Sequence, residues 1–301
     1  MPNFHGSYLP TITPFTAGNE VDVAGIHANV DWWINEGTHG LIPGGSAGEF
    51  LQLSDDEYRL MVAETVEAAA GRVPVIVGIT SDSTADALSK AQFAEEVGAD
   101  GTMLAPPYYS QVDASELEAH FRDVAQGSAL PMMVYNNPFT TGVELTPQFL
   151  AELGKSEDNV KYVKDTSYNV QRVIEINDLS GGEIKVFAGL LGYESIVVGA
   201  VGWVSIPGLV VPALSAALAE AALSGDLQRA AKLHAAVFPL MKIEEDTGKF
   251  VQIPKAALNL MNRAAGSPRA PRRDLAGAEL TRLREILAQV QATQGTLVGT
   301  S

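Results

Sequence analysis

Short apolar runs alternate with amphipathic stretches along the first three quarters of the chain. Apolar runs bounded by turn signals are typical of strands buried on both faces, and apolar positions at helical spacing indicate the helices that cover them. The pattern predicts eight strands, at residues 8–13, 40–43, 73–79, 101–105, 131–135, 160–164, 184–188 and 203–206.

Helix starts are marked between several of these strands. Ser54 with Glu57, and Asp113 with Glu116, have the spacing of a capping box, in which both side chains bond backbone N–H groups of the first turn. Eight strand–helix units between Gly6 and about residue 223 predict an α/β fold, a (β/α)8 TIM barrel. A doubly wound open sheet is the alternative, but it usually has fewer units and a glycine-rich first turn.

Strand signals stop after Gly225. Three helices are predicted in the remainder, at residues 226–242, 250–265 and 274–291. The domain prediction is therefore a barrel with the active site at residues 1–224 and a C-terminal helical region at 225–301, packed on the barrel.

Composition excludes several classes of function. The 301 residues carry a formal net charge of −16, which argues against a nucleic-acid partner. The absence of cysteine excludes disulfides and thiolate chemistry. The uncharged stretch at 196–219 is interrupted by Gly199 and Pro207, so a strand between two helices explains it better than a membrane span. The N-terminus has no secretory signal pattern, and we expect a cytoplasmic protein.

Lys164 is the strongest candidate for chemistry, because it ends the apolar run of residues 160–163. An apolar environment disfavours the ammonium form of a lysine and so produces the neutral amine that condenses with ketones. Strand alternation puts Lys164 on the opposite side from Lys161. We expect Lys161 at the surface and Lys164 in the interior.

Three further segments follow predicted strands, and in a barrel the strand C-termini carry the active site. The glycine-rich loop 44–49 can present backbone N–H groups to an anion. The pair Tyr108 and Tyr109 follows strand four, and the segment 135–138 reads Tyr-Asn-Asn-Pro. Each has a bland explanation, as a turn, a rim aromatic pair or a strand end. Their arrival together at one face favours a site.

These segments resemble the dihydrodipicolinate synthase / N-acetylneuraminate lyase family of class I aldolases. The matching motifs occur in the family's order and spacing: Thr13-Pro14-Phe15, Gly45-Ser46-Ala47-Gly48-Glu49, Tyr108-Tyr109, Tyr135-Asn136-x-Pro138 and Lys164-Asp165-Thr166. The resemblance runs through essentially the whole chain.

The resemblance implies a role for each matching residue. Lys164 would form a Schiff base with pyruvate or another 2-keto acid, and Tyr135 would relay protons through the Ser46 hydroxyl. Tyr109 would complete the relay across a dimer interface. The N–H groups of Ser46 and Ala47 would bind the keto-acid carboxylate. Backbone near Val204 would help to hold it. The family implies no cofactor or metal and an assembly of dimers or tetramers.

Two positions depart from the dihydrodipicolinate synthases. Their loop usually has two adjacent threonines, where this chain has Ser46 and Ala47. They bind the second substrate's carboxylate with an arginine, and that substrate-binding position is Thr140 here. Threonine cannot replace a bidentate guanidinium contact.

The leading hypothesis is a cofactor-free lyase or aldolase that acts on pyruvate or a 2-keto-3-deoxy acid through a lysine imine. A dehydratase or hydratase-aldolase on a sugar-derived 2-keto acid would use the same imine. A non-catalytic keto-acid-binding barrel is an alternative of another class. A metal-dependent aldolase would need clustered ligands, whereas the five histidines are scattered along the chain.

Overall fold

The structure, a computed structural model, describes residues 3–298. It contains eight strands, which alternate with helices along the chain. The strands are β1 (Gly6–Leu9), β2 (Gly40–Leu41), β3 (Ile76–Gly78), β4 (Gly101–Leu104), β5 (Met132–Asn136), β6 (Val160–Asp165), β7 (Lys185–Ala188) and β8 (Gly202–Val204). They form one sheet in the order β2-β1-β8-β7-β6-β5-β4-β3. The predicted (β/α)8 barrel class is confirmed.

Twelve helices lie between and after the strands within residues 3–298. They are α1 (Val23–Asn35), α2 (Asp55–Ala69), α3 (Thr84–Glu96), α4 (Ala114–Gln126), α5 (Pro138–Thr141), α6 (Pro147–Ser156), α7 (Gln171–Ser180), α8 (Gly192–Val197), α9 (Pro212–Leu223), α10 (Leu227–Thr247), α11 (Gln252–Leu260) and α12 (Gly277–Leu297). The last three are the helices predicted after residue 225.

The contacts group the chain into two compact units. One consists of Pro74–Val204 with the N-terminal segment that ends at Gly6, and it holds β3–β8. The other consists of Ser7–Val73 with the chain from Ser205 onward, and it holds β2, α1, α2 and α9–α12. The division predicted between residues 224 and 225 stays a prediction.

In the first unit, β3 to β8 pair in parallel, each with the next along the chain. Their residues are almost all buried, as expected for parallel strands covered on both faces. The capping box of α4 is confirmed, because Asp113 and Glu116 bond each other's backbone N–H groups.

In the second unit, β1 and β2 pair in parallel. The capping box of Ser54 and Glu57 starts α2 as predicted. The first strand lies at Gly6–Leu9 rather than at 8–13, because Pro10 has no N–H group to continue the ladder. The helix predicted at 250–265 ends earlier, at Leu260, since Asn262 takes a left-handed backbone conformation.

Candidate active site

Lys164 and Tyr135 lie side by side at the C-terminal ends of β6 and β5. The register of the two strands pairs them directly. Both side chains are buried, with relative exposures of 8% for Lys164 and 9% for Tyr135. The Lys164 Nζ lies 3.9 Å from the centre of the Tyr135 ring. Strand alternation therefore brings an amine and a phenol together in a sheltered position, while Lys161 is partly exposed.

Asn137 fixes the phenol, and the sequence did not single it out. Its Nδ2 donates to the Tyr135 hydroxyl at 2.9 Å and to Thr140 Oγ1 at 3.0 Å. Because the phenol oxygen accepts from an amide, its own proton remains available to donate to a bound molecule. The signal for Asn137 was a polar residue directly after β5, two positions beyond Tyr135.

A buried polar cluster supports the outer side of the two strands. Asn136 Nδ2 donates to Asp165 Oδ2 at 3.0 Å, and Asp165 pairs with Nε of Arg172 at 2.9 Å. Arg172 also contacts Glu144 and donates to the Leu145 carbonyl. Since Asn136 and Asp165 are register partners, the cluster joins the strand ends next to Tyr135 and Lys164.

Asp82 organises the loop that carries Tyr109. Its carboxylate accepts from the backbone N–H groups of Tyr108, Tyr109 and Ser110 at 2.8–3.1 Å. Burial raises the pKa of Asp82, but these hydrogen bonds outweigh it, and the pKa lies below its ordinary value. Tyr109 itself is 87% exposed. Its role across a dimer interface stays a prediction.

The loop after β2 contains a 3-10 turn at Ser46–Gly48 in the second unit. Thr13 Oγ1 donates to the Gly48 carbonyl at 2.6 Å. A Cβ atom on Gly48 would lie 2.9 Å from the Thr11 carbonyl oxygen, so the position requires glycine. Ala47 is buried in this turn, whereas Ser46 is exposed and accessible to a ligand.

The remaining predicted site residues lie in the first unit. Val204 is buried at the end of β8. Thr140 is exposed on α5, where its hydroxyl accepts from Asn137. The structure thus brings together Lys164 and Tyr135, and links Thr140 to them through Asn137. The substrate-binding roles of Ser46, Ala47, Thr140 and Val204 stay predictions.

Two other features bear on partners. Within residues 3–298, no three histidine or acidic side chains are grouped as ligands for a metal ion. None of the helices in this range has the length and apolar character that a membrane span requires.

Comparison with known proteins gives consistent matches. The model of the dihydrodipicolinate synthetase family matches residues 3–290. A 4-hydroxy-tetrahydrodipicolinate synthase from Rhizobium meliloti is 38% identical over 274 residues, covering 89% of this chain and 92% of the relative.

Solved structures agree with these matches. The 4-hydroxy-tetrahydrodipicolinate synthase from Methylacidiphilum fumariolicum SolV superimposes with a TM-score of 0.94 at 28% identity, covering 98% of both chains. YagE from E. coli K12, a prophage protein of the dihydrodipicolinic acid synthase family solved in complex with pyruvate, has a TM-score of 0.91 at 30% identity. That alignment covers 96% of this chain and 99% of YagE.

Proposed function

Because the chain belongs to the dihydrodipicolinate synthetase family of enzymes, we propose that Lys164 forms an imine with pyruvate or a related 2-keto acid. The observation that carries this proposal is the buried pairing of the Lys164 amine with the Tyr135 phenol. An amine sheltered from water is a better nucleophile than a solvated ammonium group. The pyruvate complex of YagE is consistent with this choice of keto acid.

The steps follow from the two side chains. The neutral Lys164 amine adds to the keto carbon, and the Tyr135 hydroxyl supplies the proton with which the carbinolamine oxygen leaves as water. The resulting iminium withdraws electrons from the methyl carbon, which loses a proton to the Tyr135 phenoxide and gives an enamine. The enamine carbon then attacks an aldehyde, whose oxygen takes up that proton from Tyr135. Hydrolysis of the iminium by water releases the product and restores the Lys164 amine, and the proton set free restores the Tyr135 hydroxyl.

The N–H groups of Ser46 and Ala47 bind the keto-acid carboxylate in this proposal. Consecutive backbone N–H groups in a turn form a site for an anion without any side-chain cation. This suits a chain of net charge −16, in which an anionic substrate needs local attraction. Backbone near Val204 completes the carboxylate contacts.

The second substrate is where this chain departs from its named relatives. The loops that follow β3 to β7, with α5 included, contain no lysine, arginine or histidine. Thr140 offers a hydroxyl where a second carboxylate would need a cation. An uncharged aldehyde therefore suits these loops better than an anionic one. Cleavage of a 2-keto-3-deoxy acid and dehydration of such an acid would both proceed through the same imine.

Assembly and location belong to the same proposal. We propose a dimer or tetramer in the cytoplasm, in which Tyr109 reaches the site of a neighbouring subunit. The strong exposure of this aromatic side chain supports a contact with another subunit.

Exchange of the pyruvate methyl protons with D2O tests the imine without knowledge of the second substrate. Each enamine that forms and is reprotonated in D2O adds deuterium, which NMR follows directly. We expect wild-type protein and Lys161→Met to catalyse exchange and Lys164→Met to lose it. Exchange that persists in Lys164→Met would assign the chemistry to another group.

A further inference from the structure

A buried carboxylate follows the proposed carboxylate-binding turn directly. Glu49 is the residue after the Ser46–Gly48 turn, and its side chain is fully buried. Its backbone is in the left-handed region, with φ of 58°, which a residue other than glycine adopts at a cost. A charged residue in this position therefore costs both backbone strain and loss of hydration.

The partners of Glu49 come from the C-terminal helical region. Oε1 of Glu49 lies 2.6 Å from Nζ of Lys255, a residue of α11 that is 1% exposed. Oε2 accepts from the backbone N–H of Arg269 at 2.8 Å. Nη1 of Arg272 lies 4.0 Å from the same Oε2. The carboxylate is thus held from a helix and from the loop after α11.

Lys255 is itself held in one position. Its Nζ lies 4.0 Å from the centre of the Phe15 ring and 3.3 Å from the Ser267 carbonyl oxygen. Burial lowers the pKa of Lys255, and the neighbouring Glu49 opposes this by favouring the ammonium form. The guanidinium of Arg269 lies over the same Phe15 ring, at 4.2 Å.

Stability alone does not account for this ion pair. Replacing a buried ion pair by apolar residues of similar size is often neutral or stabilising. The reason is that the attraction between two buried charges often does not repay the hydration that both lose on burial. A buried pair does, however, fix the position of the backbone that carries it. Here that backbone leads directly out of the turn at Ser46 and Ala47.

We propose that Glu49, held by Lys255 and by the Arg269 backbone, is a positioning residue for the carboxylate-binding turn. The C-terminal helical region thereby takes part in keto-acid binding. This inference rests on the proposed function, since it assigns the turn to the keto-acid carboxylate. Contacts to a carboxylate that does not react are made equally in the ground and transition states. Their loss raises KM and leaves kcat nearly unchanged.

The test uses Glu49→Gln, Lys255→Met and the double variant, in the full chain. The readouts are the pyruvate concentration that gives half-maximal deuterium exchange and the thermal unfolding midpoint. We expect both single variants to unfold at lower temperature, since each leaves a buried group without its partner. The double variant should recover most of the midpoint, yet still need about tenfold more pyruvate, as for a lost hydrogen bond to a charged group.

The double variant decides the outcome, because it separates stability from binding. Half-saturation at the wild-type pyruvate concentration would overturn the proposal. A double variant that does not fold would also overturn it, since the pair would then hold the fold rather than the turn. Lys249→Met is the matched control, because it removes a partly exposed ion pair with Glu279 in the same region and leaves Glu49 untouched. Failure of wild-type protein to exchange deuterium would instead refute the proposed function.

Discussion

The side-chain amide of Asn137 donates a hydrogen bond to the Tyr135 hydroxyl. Tyr135 is also the register partner of Lys164 on the neighbouring strand. A phenol is a weak acid in bulk water, so its use as a proton donor depends on such fixed geometry. We therefore propose that Tyr135 delivers a proton to the carbinolamine oxygen rather than holding the substrate.

Tyr135→Phe removes only that hydroxyl. We expect deuterium exchange into pyruvate to slow by roughly 10²- to 10⁴-fold, the usual contribution of a positioned acid or base. Tyr162→Phe serves as the control, because it also removes a phenol hydroxyl, one that accepts from the backbone N–H of Phe4. Unchanged exchange in Tyr135→Phe would show that another group supplies the proton.

Thr140 is expected to set the charge preference for the second substrate. Thr140→Arg adds a cation to loops that contain none, and should raise kcat/KM for an anionic aldehyde about tenfold relative to a neutral one. Thr140→Gln adds length without charge and should not change this ratio. Competition between the two aldehydes, with pyruvate in excess, measures it. Equal changes of this kcat/KM ratio in both variants would show that charge is not the cause.

For single residues, the sequence predicted the buried position of Lys164 well, because strand alternation depends only on neighbouring residues. Asn137 could not be predicted in the same way. Its contact with Tyr135 depends on how the chain turns after β5. The motif Tyr135-Asn136-x-Pro138 also allows any residue at position 137. Glu49 was recognised only as part of a loop, since its partner Lys255 is distant in sequence.

At the level of secondary structure, the proposed site depends on the paired C-terminal ends of β5 and β6. Asp165 and Arg172 are 8% and 5% exposed at their side chains, and they lie on the opposite side of the strand from Lys164. Removing one partner of a buried pair leaves the other charge without compensation. This cluster therefore contributes to keeping the two strand ends in register.

Arg172→Met should lower the free energy of unfolding by about 3–5 kcal/mol, since it leaves the Asp165 carboxylate buried and unpaired. Arg59→Met removes a partly exposed ion pair with Asp55, one turn away on α2. It should lower the free energy of unfolding by at most about 1 kcal/mol. Urea denaturation of both variants measures the difference. Similar losses in the two proteins would mean that the cluster adds little.

Elements were predicted more reliably than their ends. All eight strands and the three C-terminal helices exist, because buried runs and helical spacing are local signals. The ends shifted where one residue decides them, as Pro10 does after β1 and Asn262 does after α11. Such ends depend on a missing N–H group or on a left-handed backbone, which apolar periodicity does not report.

For the chain as a whole, the C-terminal region was predicted as helices but without a function. Besides the contacts of Glu49, Arg269 pairs with Glu57 of α2 and donates to the Gln52 carbonyl. These contacts make the segment after α11 an integral part of the second unit. No local pattern in the sequence indicates them.

The pair of Glu57 and Arg269 predicts a pH dependence of stability. The Arg269 guanidinium lowers the pKa of Glu57 to about 2 in the folded protein, from an ordinary value of 4.5. A carboxylate with a lowered pKa stabilises the folded state above the ordinary value, and this contribution is lost as the pH falls from 4.5 towards 2.

Unfolding midpoints measured from pH 6 to pH 2.5 should therefore fall less steeply below pH 4.5 in Glu57→Gln than in wild-type protein. Glu64→Gln is the control. Glu64 lies on α2, as Glu57 does, but it pairs with His27 of α1 and does not contact Arg269. Parallel curves for Glu57→Gln and wild-type protein would contradict the assignment.

We propose above all that the Lys164 amine captures a keto acid as an imine. Incubation with pyruvate followed by borohydride reduction makes such an imine permanent, and peptide mass spectrometry locates the adduct. We expect one reduced pyruvate adduct per chain on Lys164 and none in Lys164→Met. An adduct on another lysine, or no adduct with pyruvate or any longer 2-keto acid, would contradict it.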